Sequence, residues 1–320
     1  MNSPSFEKFN YTLRPAKSIE RKMLVEVFGR FSALSPLPKY QYVGFGAISF
    51  KDFALVHQRL GVTDMTSIEK VVEGKKRFDF NRPYSCITIK WGDSAQVLPT
   101  LAWRKRSIVW LDFDKVLDAK KLGDIATVVT SVKSGSILAV TVDVDPDRVE
   151  KGPDMPALRM ELLRGNVGDA KIPRGTKAID LAKWGMGRVC RDIIHNEIVR
   201  ALSDRNAPQP ESGRLAYHQL FNFHYADKAK MLTVGGYFVD ASEESRLPPA
   251  HFQDLDFISF DRDPYLIEVP VMTWREATYL NERLPRSAPK VPHPKWLPDD
   301  ERQRYGKVYR HFPTYLEAEL

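Results

Sequence analysis

Residues 85–114 read SCITIKWGDSAQVLPTLAWRKRSIVWLDFD, and this stretch decides the fold. SCITIKW (85–91) has the alternation and β-branched content of a strand, and Gly92-Asp93 ends it. Residues 94–101 form a short helical segment that carries Val97, Leu98 and Leu101. SIVWLDFD (107–114) is a second strand, apolar through Ile108–Leu111 and then acidic. Strand, helix and strand in that order predict a parallel pair joined by a right-handed crossover.

The same pattern extends in both directions. Upstream, YQYVGFG (40–46) is a short strand running into glycines. FKDFALVHQRL (50–60) reads as a helix that Gly61 terminates, DMTSIEK (64–70) as a strand, and 72–80 as a polar helix. Downstream, 121–133 is an amphipathic helix. SILAVTVDVD (136–145) is a fifth strand, apolar in its first half as in a sheet covered on both faces. KMLTVGGYFVD (230–240) and PYLIEVPVMT (264–273) read as two further strands. The expectation is an α/β fold with a doubly wound, mostly parallel, Rossmann-like sheet of about seven strands.

Around this core the chain divides into three parts. Residues 1–39 are a helical lead-in. Its helix spans 18–33, with Ser18 as N-cap, Ile19, Met23, Val25, Val27 and Phe28 on a buried stripe, and Pro36 and Pro38 as the stop. Residues 40–285 are the main domain. An insertion at about 146–186 interrupts it, with one helix near Ala157–Arg164, and amphipathic helices follow at 187–205 and in WREATYLNERL. Residues 286–320, rich in Pro, Lys and Arg, are a C-terminal arm. The insertion and the arm are candidate contacts for a protein partner.

Composition narrows the class. The 320 residues are 43% hydrophobic and 28% charged, enough for one large domain. No apolar run approaches the roughly 20 residues of a bilayer span, and the N-terminus lacks a signal-like apolar region, so no membrane partner is expected. Cys86 and Cys190 lie far apart, which fits a reducing, cytoplasmic setting. A net charge of +7 points to an anionic partner such as nucleic acid. Arg14, Lys17, Arg21 and Lys22, clustered at a helix start, are the candidate phosphate contacts; the competing reading is a solvated helix face. Arg104, Lys105 and Arg106 form a second basic run on the opposite edge of the sheet from the strand ends. No metal site is expected. The histidines are scattered, and YHQLFNFHY (217–225), which carries His218 and His224, reads as packing. Asp143, Asp145 and Asp147 read as caps, although Asp112 with Asp114 has the chemistry to hold a divalent cation.

In an open parallel sheet, ligands sit beyond the carboxyl ends of the strands. Four such ends carry candidates here. The first ends in Gly44-Phe45-Gly46, where glycine permits a sharp turn and a close approach. The second ends in Glu69-Lys70, an acid suited to both hydroxyls of a ribose. The third ends in Gly92-Asp93-Ser94, suited to the amine of an adenine, and the fourth in Asp112, with Asp114 beyond it.

This ordered set resembles the class I S-adenosylmethionine-dependent methyltransferases, in particular O-methyltransferase-like members. GDSAQVLPTL (92–101) looks like their GDA-x-x-x-LP segment, and SIVWLDFD like their fourth-strand motif. The resemblance covers 40–145 in sequence and 187–284 in topology. It implies that Gly44, Phe45 and Gly46 flank the methionine part of S-adenosylmethionine. Glu69, beside Lys70, would hold the ribose and Asp93, beside Ser94, the adenine, while Asp112 would border the transfer site with Asp114 nearby. It also implies that 230–240 and 264–273 are the sixth and seventh strands, one of them antiparallel. The expected activity is methyl transfer to a nucleic acid or a small hydroxylated acceptor. The glycine signature is degenerate: Tyr42 stands where such families carry an acid, and Ile48 where they often carry a third glycine. The alternative is therefore a catalytically inactive, methyltransferase-like module that binds a nucleotide or nucleic acid within a multi-protein assembly.

Overall fold

Five parallel strands form the centre of the computed structural model, which describes residues 14–149, 151–247, 250–285 and 297–313. They are β1 (Gln41–Gly44), β2 (Asp64–Glu69), β3 (Ile87–Trp91), β4 (Ser107–Val116) and β5 (Ser136–Asp143). Among the described residues the sheet has the order β3-β2-β1-β4-β5-β7-β6-β8. β6 (Leu215–Ala226) and β7 (Lys230–Asp240) form an antiparallel hairpin, and β7 runs antiparallel to β5. β8 (Tyr265–Ile267) is a short edge strand parallel to β6.

The sheet is an α/β sandwich because its strands are apolar on both faces; every residue of β5 is buried. One face packs against α1 (Pro15–Arg30), α2 (Lys51–Leu60) and Phe78 of α3 (Lys75–Asn81). The other packs against α4 (Ser94–Val97), α5 (Ala119–Ser131), α6 (Met155–Val167) and α7 (Gly185–Asn206). α8 (Ala241–Glu244) follows β7, and α9 (Trp274–Asn281) meets α10 (Asp299–Val308) in a small satellite core of Ala277, Leu280, Leu297 and Tyr305.

Three expectations change. The first helix begins at Pro15 rather than Ser18; proline at N1 lacks only an N–H that has no intrahelical acceptor there. The sixth and seventh strands are 215–226 and 230–240, not 230–240 and 264–273. The stretch read as packing is thus the longest strand of the sheet, while Pro264 and Pro270 confine the later one to three edge residues. The arm contains α10, and its residues 286–296 and 314–320 lie outside the described residues. No helix among the described residues is long and apolar enough to cross a membrane.

Candidate functional site

The carboxyl ends of β1, β2, β3 and β4 open into a cleft of about 320 Å³. Phe45, Gly46, Glu69, Lys70, Asp93, Ser94, Asp112 and Asp114 line it; Gly44, buried inside β1, does not. The turn after β1 is held from below by β2. The Gly46 amide donates to Ser67 Oγ and to Glu69 Oε1, each at 2.9 Å, and Ser67 Oγ donates to Glu69 Oε1 at 2.6 Å. Burial pushes the Glu69 carboxyl up to about 7, against the opposing pull of hydrogen bonds from Ser67, Gly46 and Ala47. The turn is tight. Ala47 and Phe50 both take positive φ, at 47° and 46°.

A Cβ on Gly46 would lie 2.5 Å from the Phe50 ring and 2.7 Å from Ser67 Oγ. Gly46→Ala should therefore lower stability by about 1–3 kcal/mol, the usual cost of overpacking, and displace Glu69. Thermal unfolding of the variant checks this; an unchanged melting temperature would show that the turn has room to relax.

At the third strand end, Asp93 caps α4 by accepting from the Ala95 amide at 3.1 Å. It also pairs with Lys120, and with Lys70 at 3.3 Å. Ser94 Oγ donates to Asp124 of α5 at 2.5 Å, and burial raises the Asp124 carboxyl. Phe45 and Phe113 close this part of the cleft with ring centroids 5.3 Å apart.

The other half of the cleft is built on a buried ion cluster. Lys17 of α1, 2% exposed, donates to Asp112 Oδ1 at 2.7 Å. It also reaches Glu20 and the Tyr225 hydroxyl, each at 3.3 Å, and lies 4.7 Å from the centre of the Trp110 ring. Burial favours a neutral lysine, but Asp112 and Glu20 outweigh it and raise the Lys17 pKa, so the ammonium stays charged. Burial likewise raises Glu20, despite Lys17 beside it. Behind the cluster a hydrogen-bond chain crosses the sheet: Trp110 Nε1 to Thr141 at 3.1 Å, Thr141 to Thr233 at 2.7 Å, and Thr233 to Glu20 at 2.7 Å. Asp112 is thus fixed in position through Oδ1.

The basic cluster of α1 corrects the expectation of an exposed phosphate-binding face. Lys17 and Arg21 point into the protein, Lys17 to Asp112 and Arg21 to Asp52. Arg14 lies 4.0 Å from Asp227, and Lys22 donates to the Phe312 carbonyl at 3.1 Å. The packing of α1 on the sheet buries Lys17 and most of Arg21, while Arg14 and Lys22 remain partly exposed. Of these four, Arg14, Lys17 and Arg21 line the cleft. Arg106 is tied to Glu243 and Lys105 to Asp64, at the opposite end of the strands. Asp143 pairs with Arg148 and accepts from the Asp145 amide, and Asp145 caps a single 3-10 turn.

Sequence reading missed Lys51, Asp124, Tyr225 and Met231 as cleft residues. Tyr225 and Met231 belong to β6 and β7, whose hairpin places them beside β5 through the pairs Tyr225–Met231 and Asp143–Met231. Recognising 215–226 as a strand was the signal that could have found them. Tyr42 is a core residue, 1% exposed and edge-on to Phe53 at 4.8 Å.

A family model described as "Putative O-methyltransferase" matches residues 9–320. Among solved structures, the chain is similar to Trm1 from Pyrococcus horikoshii in complex with S-adenosyl-L-methionine. Identity is 13% and the TM-score 0.44, over 71% of this chain and 56% of that one. It is also similar to an O-methyltransferase family protein from Burkholderia thailandensis, at 12% identity and a TM-score of 0.35, over 68% of this chain and 55% of that one. The chain thus spans about half the length of these structures. No curated protein matches it.

Proposed function

The chain belongs to this O-methyltransferase family, whose cofactor is S-adenosylmethionine, and we propose that it transfers a methyl group to the hydroxyl of an acceptor bound at Asp112. The observation that carries this reading is the pairing of two differently built carboxylates in one cleft. Glu69 is a buried, hydrogen-bonded acceptor at the end of β2; Asp112 is an oriented carboxylate in β4, where its pairing with β5 becomes irregular.

The residues fit the cofactor. Glu69 is placed to accept from ribose hydroxyls, and Asp93 and Ser94 to meet the adenine. Phe45 and Phe113 offer apolar walls to the base and sugar. Gly46 lets the backbone approach the amino-acid portion, and Lys51, at the start of α2, supplies a cation for its carboxylate. When bound, the sulfonium supplies an already activated methyl group, so the protein has to position the nucleophile and accept a proton. Lys17 engages one oxygen of Asp112. The other is left for an acceptor hydroxyl, and Tyr225, whose hydroxyl accepts from Lys17 at 3.3 Å, lines the same cleft.

Glu69 gives this reading a pH signature. A ribose diol donates far more strongly to the ionised carboxylate than to the neutral acid, and burial pushes the Glu69 carboxyl up to about 7 in the free protein. The affinity for S-adenosylhomocysteine should therefore rise with pH, approaching tenfold per unit below pH 7, and level off above it. Glu69→Gln should bind weakly at every pH without that slope. Calorimetric titration between pH 5.5 and 8 checks this. A flat profile in the native protein would remove Glu69 from the ribose site.

A further inference from the structure

A second cavity, of about 690 Å³, opens where the 173–184 segment meets the start of α7, and Arg262 borders it. Arg174, Lys183, Arg188 and Arg262 line it, against the carboxylates of Asp180 and Asp192. Both carboxylates are engaged. Asp180 accepts from the Lys177 amide at 2.8 Å, and Asp192 is shared by Arg191 and Arg262. Arg174, Lys183 and Arg188 are exposed and have no ion-pair partner among the described residues. Four cations thus face two carboxylates across the cavity, which leaves an excess of positive charge there.

One wall of the cavity is aromatic. Trp184 lines it and stacks on His224 of β6, with ring centroids 5.0 Å apart. His224 is fully buried, and neither of its ring nitrogens has a partner. The stack forms because the helix start comes close to the strand: a Cβ on Gly187 would lie 2.8 Å from the His224 ring. Gly185 is equally constrained, since its Cβ would lie 1.6 Å from the Asp180 carbonyl oxygen. Guanidinium groups that line one cavity with an indole ring match a phosphate next to a base.

We propose that this cavity binds single-stranded nucleic acid, with Arg174, Lys183 and Arg188 on phosphates and Trp184 against a base. It is distinct from the cofactor cleft, yet both meet at one end of the sheet. The neighbours His224 and Tyr225 of β6 face opposite sides, His224 towards Trp184 and Tyr225 towards Lys17. A bound strand would lie over the β6–β7 rim, beside the cleft.

The test is the affinity of a labelled ten-nucleotide single strand, measured by fluorescence anisotropy at several salt concentrations. Arg174→Glu/Arg188→Glu is compared with Arg59→Glu/Lys90→Glu, a control that changes net charge equally at exposed positions elsewhere. The expected result is binding by the native protein and at least about 30-fold weaker binding by the first variant, the scale of removing two charge-assisted hydrogen bonds. The salt slope should fall by about 1.4, or 0.7 for each phosphate no longer neutralised. The control should lose far less. S-adenosylhomocysteine affinity and melting temperature should not change in either variant, and Lys183→Ala, a milder change, should weaken the strand in the same direction. No binding by the native protein, an equal loss in the control, or binding of inorganic phosphate or a mononucleotide with no gain for the strand would overturn the proposal. Failure of the cofactor reading would appear separately, as absent S-adenosylhomocysteine binding in the native protein.

Discussion

Asparagine in place of Asp112 should lower the rate of methyl transfer by at least about 100-fold, the usual scale for a proton acceptor. The loss should appear in kcat, with affinity for S-adenosylhomocysteine unchanged, because the residues proposed to hold the cofactor, Glu69 and Asp93, lie at the ends of β2 and β3 rather than on β4. Release of S-adenosylhomocysteine in the presence of a panel of hydroxylated acceptors measures it. Asparagine keeps the shape and still accepts from Lys17 through its carbonyl, so the ion cluster is weakened rather than emptied. A variant that loses stability yet transfers at the native rate would show that Asp112 serves only as the partner of Lys17.

Lys17→Met should destabilise the protein by about 3 kcal/mol at neutral pH, because it leaves Asp112 and Glu20 facing each other without the cation that compensates them. The pH dependence follows from the direction of the Glu20 shift. Burial raises its folded pKa above the unfolded value, so the native state holds a proton that the unfolded state has released. Stability linked to that proton is present at low pH and is lost as pH rises through the folded pKa. The deficit of Lys17→Met should therefore shrink as pH falls towards 5, and Lys17→Met/Glu20→Gln should recover part of it at pH 7. Thermal unfolding across this range checks both. Native-like stability of the single variant at pH 7 would show that the cluster is better solvated than its burial indicates.

Much of the sheet was legible because its strands obey simple patterns. β4 and β5 open as apolar runs of the kind that only a doubly covered sheet requires, glycines end β1 and follow β3, and β4 turns acidic at Asp112 before running on to Val116. β6 was not legible, for a physical reason. After its irregularity at Gln219/Phe221, Phe221, Phe223 and Tyr225 fill the core on the α1 side, while Asn222 and His224 are buried on the other. Polar residues buried on one face of a strand look, in one dimension, like a solvated edge. The Asp227–Ala229 turn leading directly into β7 was the stronger signal.

The cleft was legible where a residue ends a strand, as with Glu69, Asp93 and Asp112. It was illegible where the cleft is assembled across the fold. Lys17 and Arg21 form a basic run on a helix, and nothing in that run shows that the helix packs on the sheet with these residues turned towards Asp112 and Asp52. The positive charge that suggested an exposed nucleic-acid face there is largely internal. Exposed cations gather instead around Trp184: Arg174 and Lys183 in the segment that the sequence marked only as an insertion, and Arg188 at the start of the helix that follows it.

The central claim is that this cleft holds the cofactor through Glu69. Its most direct test is calorimetric titration of the native protein and of Glu69→Ala with S-adenosylhomocysteine at pH 7.5. The native protein should bind one equivalent, and the variant, still folded but less stable because the β1 turn loses an acceptor, should bind more weakly by about 1–3 kcal/mol. No heat from the native protein at millimolar ligand, or equal affinity in the variant, would contradict the account.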